Sequence, residues 1–153
     1  MDIEIKPTSP DETGTAYSLT KELMKHHNAL DIFTMTPERF RELVSSGAVL
    51  SFMAYENNQP VGVMNIFYKY TTFSGRKILY IEDLYVREKY RGFGVGRKLL
   101  DKARETAVSN DCEQIELKCA VWNSSSAGFY ESYGLKPENE WQVYTLAKDF
   151  FNR

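Results

Sequence analysis

The stretch Tyr80-Ile81-Glu82-Asp83-Leu84-Tyr85-Val86, with Arg91-Gly92-Phe93-Gly94-Val95-Gly96 a short connection later, decides how this chain folds. Its first part lies in the apolar run Ile78 to Val86, dense in β-branched and aromatic residues, and reads as a strand. From Val95 onward the apolar positions Val95, Leu99, Leu100, Ala103 and Ala107 recur at helical spacing, while Arg97, Lys98, Asp101 and Arg104 meet water. The glycines between strand and helix make a turn without Cβ atoms, so successive amides and the unpaired donors of a helix start can converge on one anion. Neither standard nucleotide loop fits: no Gly-Lys-Ser/Thr closes the run, and Arg97 occupies the place of the last glycine in G-x-G-x-x-G. A glycine turn before a helix also serves tight packing alone, and the spacing by itself leaves both readings open.

Outward from this centre the hydrophobic period alternates between strand and helix. Ile3 to Lys6 reads as a first strand, and Gly14 to His27 places Ala16, Leu19, Thr20, Leu23, Met24 and His27 on one helical stripe. Thr36-Pro37 is a cap followed by a first-turn proline, opening a short helix that buries Phe40, Leu43 and Val44. Val49 to Tyr55, Val61 to Tyr70 and Lys77 to Val86 are strands separated by Asn57-Asn58-Gln59-Pro60 and Phe73-Ser74-Gly75, which predicts an antiparallel meander. Ile115, Leu117, Cys119 and Val121 alternate as a further strand. Asn123 caps a helix running through Tyr133 with Gly134 as its stop, and Trp141 to Ala147 is a final strand. The expectation is a single mixed α/β domain over residues 1–153, a central, mostly antiparallel sheet flanked by helices.

Composition bounds the function classes. At 153 residues the chain suits one domain with one core. Basic and acidic residues, 19 against 21, leave a net charge of −2 and no footprint for nucleic acid. The start Met1-Asp2-Ile3-Glu4-Ile5-Lys6 lacks the blocks of a signal peptide, and no apolar run approaches the ~20 residues of a membrane span, so a cytoplasmic enzyme is expected. Cys112 and Cys119 have neither Cys-x-x-Cys spacing nor histidine partners and read as buried free thiols. Adjacent His26 and His27 point about 100° apart on a helix and cannot clasp one ion, so no metal is expected.

The strand Tyr80 to Val86 followed by Arg91-x-x-Gly94-x-Gly96 resembles the acetyl-CoA loop of the GNAT superfamily of N-acyltransferases. A second block, Asn123-Ser124-Ser125-Ser126-Ala127-Gly128-Phe129-Tyr130 closed by Gly134, is similar to the later helix of that superfamily. The longer phrase Leu79 to Val86 with Tyr90 to Gly96 looks most like the diamine (spermidine/spermine) acetyltransferases and their thialysine-acetylating relatives, and Trp122-Asn123 and Trp141 fit that branch. The likeness covers roughly residues 60 to 147. It implies a GNAT-type fold, acetyl-CoA as cosubstrate, a small-molecule amine as partner and a homodimer. It assigns coenzyme contacts to Leu84, Tyr85, Val86, Arg91, Gly92, Phe93, Gly94, Val95, Gly96, Arg97, Asn123 and Tyr130. Main-chain groups of Leu84 and Val86 would meet the pantetheine amides as an added strand does. Arg91 or Arg97 either bonds phosphate through its side chain or is a solvated charge. Exposed aromatics such as Tyr68, Tyr70 and Phe73 could form the dimer surface, although strands are rich in aromatics anyway.

The chemistry must join an amine to a thioester carbonyl. Alkyl amines titrate near lysine, about 10.4, so a group has to remove a proton before attack. Glu82 and Asp83, consecutive in a strand, point to opposite faces; the resemblance makes Glu82 the base and Asp83 and Trp141 neighbours shaping the acceptor site. The competing reading of Glu82 is a buried ion pair. Tyr130, the tyrosine of the aromatic pair Phe129-Tyr130, is the expected general acid toward the departing thiolate, against a core tyrosine. Glu131 stands where the diamine enzymes commonly carry lysine, which touches acceptor choice and not acetyl transfer; an exposed helix residue is the simplest account. Remaining alternatives are another acceptor, such as an aminoglycoside or a protein amine, and a non-catalytic acyl-CoA-binding module.

Overall fold

The computed structural model describes residues 1–153, in two compact units, Met1–Lys118 and Cys119–Arg153. The first unit contains, in chain order, β1 (Ile3–Pro7), α1 (Thr13–His26), α2 (Pro37–Ser45), β2 (Leu50–Glu56), β3 (Gln59–Tyr70), β4 (Lys77–Val86), α3 (Val95–Ser109) and β5 (Cys112–Leu117). The strands lie in the order β1-β2-β3-β4-β5, antiparallel up to β4 and parallel between β4 and β5. This is the mixed, mostly antiparallel sheet with helices that the hydrophobic periods predict.

Local chemistry accounts for the meander. Asn57 and Asn58 both adopt positive φ, 48° and 62°, so two left-handed residues make the tight turn whose twist suits the β2–β3 hairpin. The Thr36 hydroxyl accepts from the Arg39 amide at 3.1 Å and Pro37 fills the first turn, as expected of the α2 start. All five stripe residues of α3, Val95, Leu99, Leu100, Ala103 and Ala107, are buried. Ala16 and Leu19 of α1 and Phe40 of α2 form a core with Met53 of β2 and Val63 of β3. Lys102 of α3 lies over the ring of Phe52, the neighbour of Met53 and so on the opposite face of β2.

Four expectations change. The strand expected to reach Val121 ends at Leu117, and Val121 is fully exposed in a turn. The reason lies on its partner: parallel pairing stops at Ile81↔Leu117, just before an irregularity in β4. Trp141 to Ala147 forms no ladder, and Trp141, Val143, Tyr144 and Leu146 are exposed. The alternation there is real, but a strand exists only with a hydrogen-bonded neighbour, and the second unit contains α4 (Ser124–Tyr133), a short 3₁₀ turn and no strand. Cys112 and Cys119 are free as expected but only half-buried. On α1, Met24 is half-buried and His27, just past the last turn, is exposed.

At Gly62 strands β3 and β4 leave no room for a side chain: a Cβ there would lie 2.8 Å from the Tyr85 carbonyl oxygen and 3.4 Å from a Val86 methyl. Because the first clash is with backbone, Gly62→Ala is expected to cost about 1–3 kcal/mol. Thermal unfolding followed by circular dichroism would register this as a lowered midpoint; an unchanged midpoint would mean that β3 and β4 can separate freely.

Candidate active site

The functional features of the first unit begin at a β-bulge. Asn65 pairs with Asp83 and Ile66 with Ile81, so Glu82 has no partner residue on β3. A bulge re-aims a side chain and interrupts pairing. Here Glu82 is exposed between buried Ile81 and buried Asp83, as two consecutive strand residues on opposite faces require. Glu82 joins none of the ion pairs in the structure, so the structural reading of this carboxylate finds no support. Asp83 turns inward, 9 % exposed, and its Oδ2 accepts a 3.0 Å bond from Asn65 Nδ2. Burial pushes its carboxyl up to about 6, the Asn65 bond opposes this, and the adjacent Glu82 charge adds to the rise.

Past the bulge, β4 continues from Glu82 to Val86 with β3 on one side and no β5 partner on the other. That edge carries main-chain groups in the extended geometry needed by an amide-bearing chain laid alongside. Leu84 and Tyr85 are half-buried on it, and Val86 is nearly covered. The chain then enters the glycine turn, where Gly92 and Gly94 have φ of 81° and 83°, a region costly to any residue with a Cβ. Gly94 is the N-cap of α3 and offers no side chain to the first-turn amides; the first intrahelical bond runs from the Lys98 amide to the Gly94 carbonyl at 3.0 Å. The positive end of a fifteen-residue helix therefore faces the turn without a side-chain cap, the arrangement suited to phosphate. Phe93 is exposed, Val95 buried and Gly96 half-buried within this segment.

Two arginines brace the exit of β4. Arg91 Nε donates to the Val86 carbonyl at 2.8 Å, and its guanidinium lies 5.7 Å from the Tyr85 ring centroid. Part of its donor set thus holds the strand end. Arg87 grips Glu22 of α1 through two bonds of 3.0 and 2.7 Å and donates to the Pro60 carbonyl at 3.0 Å. Its hydrogen bond holds the Glu22 carboxyl below the usual range. Arg97 is exposed on the first turn of α3.

In the second unit, Asn123 caps α4 by accepting from the Ser126 amide at 3.1 Å, and Gly134 ends the helix at φ 117°, both as read from sequence. Phe129 and Tyr130 have ring centroids 5.4 Å apart. Tyr130 is half-buried, and burial, with Cys119 next, pushes its phenol up to about 12, so it stays protonated at neutral pH. Glu131 is exposed, in keeping with a solvated helix position. Trp141 presents its indole to solvent.

The residues from Glu82 to Arg97 follow one another along a single strand, turn and helix start. Sequence reasoning missed Asn65, Thr20, Arg87 and Glu22. Asn65 carried a signal, being the one polar residue among the buried positions Val61 to Ile66; the Arg87–Glu22 pair, far apart in sequence, carried none.

A bulged strand with an open edge, a glycine turn and an uncapped helix N-terminus suit an acyl-CoA-dependent transferase. The acetyltransferase (GNAT) family matches residues 16–135, and this chain belongs to that family. It is 36 % identical over 148 residues to a thialysine N-epsilon-acetyltransferase of Bos taurus, covering 90 % of this chain and 86 % of that one. A thialysine N-epsilon-acetyltransferase of Caenorhabditis elegans is 29 % identical over 129 residues, 84 % of this chain and 80 % of its own. Among solved structures, an aminoglycoside acetyltransferase from an uncultured soil metagenomic sample, in complex with trehalose, superposes with a TM-score of 0.81 at 18 % identity, covering 95 % of this chain and 97 % of its own, a likeness of fold. The protein is an N-acetyltransferase acting on amines, and members of its family use acetyl-CoA. No helix is long and apolar enough to cross a membrane.

Proposed function

We propose that this enzyme transfers acetyl from acetyl-CoA to a primary amine of a thialysine-like amino acid or small polyamine, by direct attack and without an acyl-enzyme. The observation that carries the reading is the continuous run from the bulged Glu82 along the open β4 edge to the glycine turn and the α3 N-terminus. Main-chain groups of Leu84, Tyr85 and Val86 receive the pantetheine arm, with Asn123 as a further contact. The amides from Gly92 to Gly96 receive the pyrophosphate, assisted by Arg91 and Arg97. Bound there, acetyl-CoA supplies an activated acyl group and a thiolate leaving group.

Glu82, exposed and unpaired, takes the proton from the acceptor ammonium. Tyr130, its phenol held protonated by burial, donates a hydrogen bond to the sulfur and stabilises the charge as the C–S bond breaks. Asp83, buried behind the strand without a counter-cation, carries a charge at neutral pH that favours a cationic acceptor and is lost as pH falls through about 6, and exposed Trp141 offers that acceptor an aromatic face. One acetyltransferase domain over residues 1–153, working as a homodimer in the cytoplasm, completes the reading.

The test is release of coenzyme A thiol, read with a thiol reagent, across thialysine, lysine, spermidine, putrescine and an aminoglycoside. The kcat/KM for thialysine or a polyamine is expected to exceed that for the aminoglycoside by at least about 10²-fold, the discrimination a site built for one polar acceptor gives. Turnover confined to the aminoglycoside would overturn the acceptor assignment; coenzyme binding with no turnover of any amine would favour a binding module.

A further inference from the structure

Asn65 makes a network that stability alone does not explain. It is 2 % exposed inside the apolar part of β3. Its Nδ2 donates both to Thr20 Oγ1 of α1 at 2.9 Å and to Asp83 Oδ2 at 3.0 Å, while its Oδ1 is buried without a partner. The Thr20 hydroxyl in turn donates to the Ala16 carbonyl at 2.9 Å, which ties the network to the backbone of α1. No ion pair of the structure reaches Asp83. An orphaned acceptor and a buried carboxylate without a cation both oppose folding, and an apolar side chain at this place would need neither.

What the network does is geometric. Asn65↔Asp83 is the register pair immediately beside the bulge, so the cross-strand side-chain bond fastens the residue that follows Glu82. Thr20 fastens Asn65 in turn, and through it the bulge is referenced to α1 as well as to β3. Without such ties a bulge can slide by one residue, which exchanges the faces of Glu82 and Asp83.

We propose that Asn65 is a positioning residue: bonded to Thr20 and Asp83, it locks the β4 bulge and so fixes the direction in which Glu82 presents its carboxylate. This rests on Glu82 being the base. Asn65→Leu is expected to lower kcat by about 10-fold to 10²-fold, the cost of a misplaced catalytic group, with KM for acetyl-CoA nearly unchanged. Thr20→Val should lower kcat in the same sense and less, and Thr20→Ser, which keeps the hydroxyl, should restore it. In a Glu82→Gln background Asn65→Leu should cause no further loss, because the group it positions is already gone.

An unchanged kcat in folded Asn65→Leu, or the full loss repeated in the Glu82→Gln background, overturns the proposal while leaving the acetyltransferase reading intact. Should Asn65→Leu fail to fold, the two Thr20 variants decide: equal kcat for valine and serine overturns it. A Glu82→Gln enzyme with wild-type kcat refutes the base assignment itself, a separate result read in a separate variant.

Discussion

Glu82→Gln should lower kcat by about 10²-fold to 10⁴-fold at neutral pH, the range in which positioned general bases contribute. Glutamine keeps the size of glutamate but cannot take a proton, and Glu82 is exposed at a bulge and joins no ion pair. The folded state therefore loses little, and both the unfolding midpoint and acetyl-CoA affinity by calorimetry should stay at wild-type values. The pH dependence separates a base from a bystander. An alkyl amine titrates near 10.4, so as pH rises toward that value more acceptor arrives already neutral and the work left to the carboxylate shrinks. The ratio of wild-type to variant kcat/KM should fall steadily from pH 7 to pH 10. A constant ratio would show that Glu82 acts by charge or contact and not by accepting the proton.

Much of this arrangement is legible in the sequence, and what escapes it does so for physical reasons. The α3 stripe, the Thr36 and Asn123 caps, the Gly134 stop and the Asn57-Asn58 turn are local: each is decided by residues within one or two turns of chain. The opposite orientation of Glu82 and Asp83 also follows from the period of a strand. The bulge did not follow from it, because a bulge is a property of two strands in register and Asn65 lies in the other one. Once the bulge is known, the early end of β5 at Leu117 is its consequence, since the parallel ladder stops beside it. Trp141 to Leu146 shows the converse limit: alternation states that a segment can be a strand, but only a neighbour with free backbone groups makes it one.

Tyr130→Phe is the second large effect, an expected loss of about 10²-fold in kcat with little change in KM for either substrate. The substitution keeps the ring, and with it the contact to Phe129 at 5.4 Å between centroids, so any loss reports the hydroxyl. That hydroxyl is in the right state to donate: burial first, and Cys119 second, push the phenol up to about 12. Because the shift is upward from the ordinary tyrosine value, the proton is present throughout the working range and is lost only as pH climbs toward the shifted value. The sulfur it would serve belongs to a thiol of ordinary pKa about 8.5, so a neutral phenol cannot fully ionise for it, yet a hydrogen bond from that phenol stabilises the charge as the C–S bond breaks. At a core tyrosine the same substitution would lower the unfolding midpoint and leave kcat intact, and two further results check that the phenol acts in its protonated form. Loss of activity in Tyr130→Phe should be equally severe at pH 7 and pH 8, since the wild-type phenol is protonated at both. The wild-type enzyme should also show no alkaline limb below pH 9 that the variant lacks; such a limb would place the phenol's ionisation far lower than its buried surroundings allow.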